Sequence, residues 1–113
     1  FAWEAAARHH WQPARRGTCP PLRPQAAGSA GADPHQFTGE LWQWTSSAYL
    51  PYPGFSPTAG AIGEYNGKFM VDQHVLRGSS ALTPPGHERV TYRNFFPPAS
   101  RWAATGVRLA HDC

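Results

Sequence analysis

Gly39-Glu40-Leu41-Trp42-Gln43-Trp44-Thr45 is the stretch that decides how this 113-residue chain is read. Its last five residues partly alternate and are rich in aromatic side chains, which predicts a short strand. On its C-terminal side, Tyr49-Leu50-Pro51-Tyr52-Pro53-Gly54-Phe55 is too rich in proline and glycine to be regular and reads as a fixed, aromatic-studded turn. Three further strands are predicted beyond it. They are His74-Val75-Leu76-Arg77-Gly78, Glu88-Arg89-Val90-Thr91-Tyr92-Arg93-Asn94 and Thr105-Gly106-Val107-Arg108-Leu109-Ala110; in the second, β-branched and aromatic residues alternate with arginines. On the N-terminal side, residues 12–34 are a low-complexity run of Pro, Gly, Ala and Arg with no periodicity, an irregular loop. Before it, residues 1–10 carry strong helix formers and read as a helix without an N-cap, whose start is expected upstream of Phe1. The sum is an α+β arrangement with a small antiparallel sheet and much loop.

Composition agrees with a fold low in regular structure. Twelve Pro and eleven Gly leave little room for long elements, while five Trp, six Phe and four Tyr supply apolar surface. The net charge of +3 comes almost wholly from arginines spread along the chain, with Lys68 the only lysine. A nucleic-acid binder shows a denser basic run or face, so nucleic acid is not expected as a partner. Arginines of this kind suit pairing with acids and carbonyls inside an irregular fold. No apolar run reaches membrane-spanning length and no signal peptide is visible, so no membrane is expected and a cytoplasmic location is. Cys19 and Cys113 read as free thiols rather than a disulfide framework.

Tests for chemistry made on the residues alone are mostly negative. His9 and His10 are adjacent and point about 100° apart on a helix, and His35, His74, His87 and His111 are scattered, so no metal site is predicted. There is no Gly-x-Ser-x-Gly elbow, and Arg77-Gly78-Ser79-Ser80 lacks the lysine and spacing of a phosphate loop. What remains is Tyr92-Arg93-Asn94-Phe95-Phe96-Pro97-Pro98. An Asn before a Pro-Pro turn can present its amide to a ligand, and two phenylalanines can wall an apolar pocket or face a cation. Taken alone, the same residues also read as core.

Several segments, in order and in register, resemble formylglycine-generating-enzyme-like (FGE-sulfatase) domains. They are Trp3-Glu4-Ala5-Ala6-Ala7-Arg8, Gly39-Glu40-Leu41-Trp42-Gln43-Trp44, Val75-Leu76-Arg77-Gly78-Ser79-Ser80 and Thr105-Gly106-Val107-Arg108-Leu109-Ala110. Within that superfamily, residues 44–55, Gly63-Glu64-Tyr65-Asn66-Gly67-Lys68-Phe69-Met70 and residues 92–98 with Arg101-Trp102 look like EgtB-type hercynine oxygenases, the sulfoxide synthases of ergothioneine biosynthesis. The resemblance implies an irregular C-type-lectin-like fold, with residues 1–113 forming the C-terminal part of the domain. It further implies a non-haem iron oxidoreductase that joins hercynine to cysteine or γ-glutamylcysteine with Fe(II) and O2. The iron would be bound by an N-terminal DinB-like domain that this stretch does not contain, so the fragment alone is expected to bind no metal and to be inactive. Substrate contacts are implied at Tyr65, Asn94, Phe95 and Phe96, with no catalytic residue assigned. The expected alternatives are a non-catalytic lectin-like binding module or a formylglycine-generating enzyme relative.

Departures from the family pattern carry expectations of their own. Ile62 stands where one branch has an acidic tyrosine, so an acid is expected from elsewhere. Pro85 and Val90 stand where formylglycine-generating enzymes have copper-binding cysteines, and neither binds Cu(I). Ser79 replaces a glycine and is expected to be costly if that position needs a positive φ. Tyr49 and Tyr52 are expected as packing residues, and Arg77, Arg93 and Arg108 as framework arginines.

Overall fold

A computed structural model describes residues 1–11, 22–26 and 36–110, with the side chains of residues 64–66 left out. Most of the 12–34 loop, both cysteines, His35 and His111 lie outside the described residues. Helix α1 spans Ala2–His9. It is alanine-rich, and Glu4 and Arg8 close an i,i+4 ion pair at 2.8 Å. Ala7, with no side chain beyond Cβ, is fully buried and lets the helix sit close to what lies beneath it.

Four strands form one sheet: β1 (Trp42–Ala48), β2 (His74–Arg77), β3 (Asn94–Phe96) and β4 (Thr105–Gly106), in the order β3-β2-β1-β4. The β1–β2 and β2–β3 pairs are antiparallel, but β1 and β4 run parallel, so the sheet is mixed rather than antiparallel throughout. A helix, α2 (Ala61–Lys68), connects β1 and β2. Local patterning does not mark it, because Gly63, Asn66 and Gly67 are poor helix formers and leave no periodic apolar face.

Two predicted strands are shorter than their patterns suggested. Residues 88–93 are not a strand, because their backbone groups are engaged elsewhere. The Tyr92 N–H turns back to the Arg89 carbonyl at 3.0 Å. The carbonyls of Val90 and Thr91 accept from the Arg77 guanidinium at 2.9 and 3.2 Å. Pairing therefore starts only at Asn94. The last strand stops after Gly106, and Arg108 then turns inward, its Nε donating to Gln43 Oε1 at 3.0 Å with its guanidinium 4.3 Å from the Phe37 ring centroid.

The expected strain at Ser79 is not there. The positive φ falls one residue earlier, at Gly78 (93°), where a Cβ would lie 2.4 Å from the Phe37 carbonyl oxygen. Ser79 is fully buried, and its hydroxyl accepts from the Gly39 N–H at 2.8 Å. A serine here satisfies a buried donor that glycine could reach only through its backbone.

Polar hubs tie the pieces together. Gln43, buried in the middle of the sheet, accepts from Trp3 Nε1 at 2.7 Å and from Arg108, and donates to the carbonyls of Gln36 and Phe37 at 3.0 and 3.2 Å. One amide thus joins α1, the segment before β1 and the segment after β4. Arg77, the cross-strand partner of Gln43 on β2, does the same. It is ion-paired with Glu4, lies 5.1 Å from the Trp3 ring and holds the two carbonyls of residues 90 and 91. Arg77, Arg93 and Arg108 are framework arginines, as their spread along the chain suggested.

Candidate functional site

Strand β3 is only three residues long, and its period of two divides the expected site into two faces. Asn94 and Phe96 fall on one side. Together with Trp42, His87 and Trp102 they line a groove of about 360 Å³, whose floor includes Ser80, Thr83 and Ala104. Phe95 points the other way and stacks on buried Tyr49, ring centroids 4.2 Å apart and planes 9° from parallel. Arg93 covers that side, 5.0 Å from the Tyr49 ring and 4.0 Å from Tyr52, and donates to the Leu50 carbonyl at 3.0 Å. Tyr49 is a packing residue, while Tyr52 remains about half exposed. The structure therefore brings Asn94 and Phe96 together and leaves Phe95 as their support. Tyr65 lies on α2, and its side chain is outside those described. Ile62 on the same helix is largely exposed.

The groove is aromatic on more than one wall. Phe96 meets Trp102 edge to face at 4.5 Å and 75°. Trp102 is 73% exposed, so much of its indole is open to a ligand rather than spent on the core. Trp42 is buried and rests on Tyr92 at 5.3 Å. Such faces carry negative quadrupole density and attract a cation, a quaternary ammonium in particular. Asn94 completes the arrangement. Its Oδ1 accepts from the Phe95 N–H at 3.0 Å, which fixes the side chain and leaves the amide N–H groups without a partner among the described residues.

His87 is the one ionisable side chain among the groove's lining residues. It stands at the end of the Pro84-Pro85-Gly86 turn, where its N–H bonds the Pro84 carbonyl at 3.2 Å and Gly86 takes a φ of 82°. Its Nε2 lies 3.4 Å from the Tyr92 hydroxyl, with the rings 5.2 Å apart. Arg89 lies 5.2 Å from the other part of this cluster, the Tyr92 ring. Sequence reasoning assigns no site role to Trp42, His87, Tyr92 or Trp102. The available signal was the density of aromatic residues on either side of two Pro-Pro turns; what was missing was the pairing that folds those turns together.

No group of three or more His, Cys, Asp or Glu that could hold a metal ion comes together among the described residues. The described side chains do not by themselves make an iron site. No helix among the described residues is long and apolar enough to cross a membrane.

Residues 2–113 match the sulfatase-modifying factor enzyme 1-like domain. The chain is 37% identical over 95 residues to a hercynine oxygenase of Mycolicibacterium smegmatis, an alignment covering 81% of this chain and 22% of the relative. It is 37% identical over 93 residues to a hercynine oxygenase of Mycobacterium tuberculosis, covering 81% of this chain and 21% of the relative. A third, from Mycolicibacterium thermoresistibile, is 35% identical over 97 residues with the same coverages, 81% and 21%. The chain spans about a fifth of the length of these curated relatives.

Proposed function

The chain belongs to the sulfatase-modifying factor enzyme 1-like domain family, and on that premise we propose that it is the C-terminal, substrate-pocket part of a hercynine oxygenase of ergothioneine biosynthesis. In this reading the whole protein is a non-haem iron oxidoreductase. It joins hercynine to cysteine or γ-glutamylcysteine as a sulfoxide, using Fe(II) and O2, with the iron held by a DinB-like domain elsewhere in the protein. The fold is a C-type-lectin-like body whose sheet edge presents one wall of the pocket.

The observation that carries the reading is the groove beside β3. Hercynine bears a trimethylammonium, and Trp42, Phe96 and Trp102 offer the aromatic faces that bind one without a counter-carboxylate. The unpartnered amide of Asn94 supplies a neutral hydrogen-bond donor beside them. Phe95 contributes by holding β3 against Tyr49, and Tyr65 is proposed to reach the substrate from α2. The curated relatives by name support the same reading.

A lectin-like binding module would need no such cation-selective wall and is the weaker reading. A formylglycine-generating enzyme is disfavoured by Pro85 and Val90. The test is direct. The full-length protein, loaded with Fe(II) under air, is given hercynine with cysteine or with γ-glutamylcysteine, and the product is read by mass spectrometry. A sulfoxide adduct of the two substrates is expected with at least one thiol. Absence of adduct with both, from folded and iron-loaded protein, refutes the proposal.

A further inference from the structure

We infer that His87 is a specificity residue of the groove: its ring N–H binds the carboxylate that accompanies a quaternary ammonium, so the groove selects a betaine head rather than a bare cation. The inference rests on the function proposed above and adds to it a role for a residue not assigned there.

A betaine places a carboxylate one carbon from its ammonium, so a site that takes both needs aromatic faces and a hydrogen-bond donor close together. The groove supplies both. Trp42, Phe96 and Trp102 are its aromatic residues, and no Asp or Glu lines it to repel a carboxylate. His87 lines the same groove and is the one side chain there able to offer a ring N–H beside the Asn94 amide.

One ring nitrogen of His87 already has a neighbour. In the tautomer in which the Tyr92 hydroxyl, 3.4 Å away, donates to Nε2, the imidazole proton sits on Nδ1. In that tautomer Nδ1 is the ring donor left for a ligand. Tyr92 is itself held in place by Trp42 at 5.3 Å and by Arg89 over its ring at 5.2 Å, so the neighbour of Nε2 is braced. Tyr92 is in this sense a positioning residue. Glu88, the nearest acid in sequence, accepts from the Gly86 N–H through its Oε2 at 3.1 Å.

The test compares hercynine with the same molecule lacking its carboxylate, trimethylhistamine, by calorimetry on the full-length protein with no thiol present, so that nothing turns over. The unaltered protein is expected to bind hercynine about tenfold more tightly, the contribution of one neutral-donor hydrogen bond to an ion. His87→Phe, at an exposed position where folding is spared, is expected to bring the two ligands within about twofold of each other by weakening hercynine alone. His87→Gln, which keeps an N–H donor, is expected to restore most of the preference. Tyr92→Phe is expected to fall between, with a change in the His87 ring 15N shifts that reports the altered tautomer. If His87→Phe keeps the tenfold preference, or weakens both ligands equally, the inference is overturned while the proposed function stands. If the unaltered protein binds no hercynine, both fall.

Discussion

Arg77→Met is expected to lower the melting temperature of this domain by about 10–20 °C. Arg77 has a side chain only 7% exposed and joins three parts of the molecule. It pairs with Glu4, whose own side chain is 24% exposed, and it donates to the carbonyls of Val90 and Thr91. Removing one partner of a buried pair costs about 3–5 kcal/mol, because the other is left uncompensated. Glu4 retains Arg8 at 2.8 Å and some contact with water, which places the loss toward the lower end. The two carbonyls add to it, but Thr91 is exposed and can turn to solvent. About 3–4 kcal/mol remains. At roughly 3–5 °C per kcal/mol for a domain of this size, the stated shift follows. The assay is a thermal melt by near-UV circular dichroism of the full-length protein, with Glu4→Gln and the double variant alongside. The double variant leaves no orphaned charge, so its loss should be smaller than the sum of the singles by about 1–3 kcal/mol. Strict additivity, or a shift below about 4 °C for Arg77→Met, would refute the reasoning. A second readout follows from the strap at residues 90–91: Arg77→Met should weaken hercynine binding more than Glu4→Gln does.

Other expectations concern single positions. Hydrogen bonding to Arg8, and then to Arg77, holds the Glu4 carboxyl below its ordinary value against the opposing effect of burial. A carboxyl lowered by folding contributes stability above its unfolded value that is lost as pH falls through the folded one. The melting temperature should therefore drop on acidification below the usual carboxylate range, and Glu4→Gln should flatten that part of the profile. Ser79→Gly is expected to destabilise by about 1–2 kcal/mol in a denaturant titration, since it removes the hydroxyl facing the Gly39 N–H and adds chain entropy; a gain in stability would restore the strain account. Trp102→Ala should cost about tenfold in hercynine affinity with little change in the melt, because the indole is mostly exposed. Expressed alone, the 113 residues are expected to give no cooperative thermal transition. Leu50, Phe55, Ile62, Phe69 and Val71 leave large apolar surfaces uncovered around a small core.

The elements legible in the sequence were those whose local pattern agrees with their tertiary role. β1 follows from partial alternation and aromatic content, β2 from the glycine at its end, and α1 from its run of strong helix formers. The failures were of the opposite kind. Residues 88–93 look like a strand because Val90 and Tyr92 alternate with arginines, yet the carbonyls of Thr91 and Val90 belong to Arg77, fourteen and thirteen residues back. A side chain that distant leaves no trace in a local window. β4 was overextended for the same reason, since Arg108 is drawn to Gln43 across the sheet. Of the residues expected at the site, Asn94 and Phe96 face the groove and Phe95 the opposite side, a division that strand geometry alone implies. His87, Trp42 and Trp102 needed the pairing of β3 with β2 and of β4 with β1 before they could be seen as neighbours.

The alternation within β3 also bears on which changes the chain can absorb. Sequence changes between Gly78 and Asn94 alter what the turn is made of, and much of that turn is exposed. A single-residue insertion or deletion there is a different kind of event. If it shifted β3 by one position against β2, Phe95 would enter the groove, and Asn94 and Phe96 would leave it. The strand would keep its hydrogen bonds and lose its ligand. In functional descendants of this chain, the length of that segment should be held more tightly than its composition.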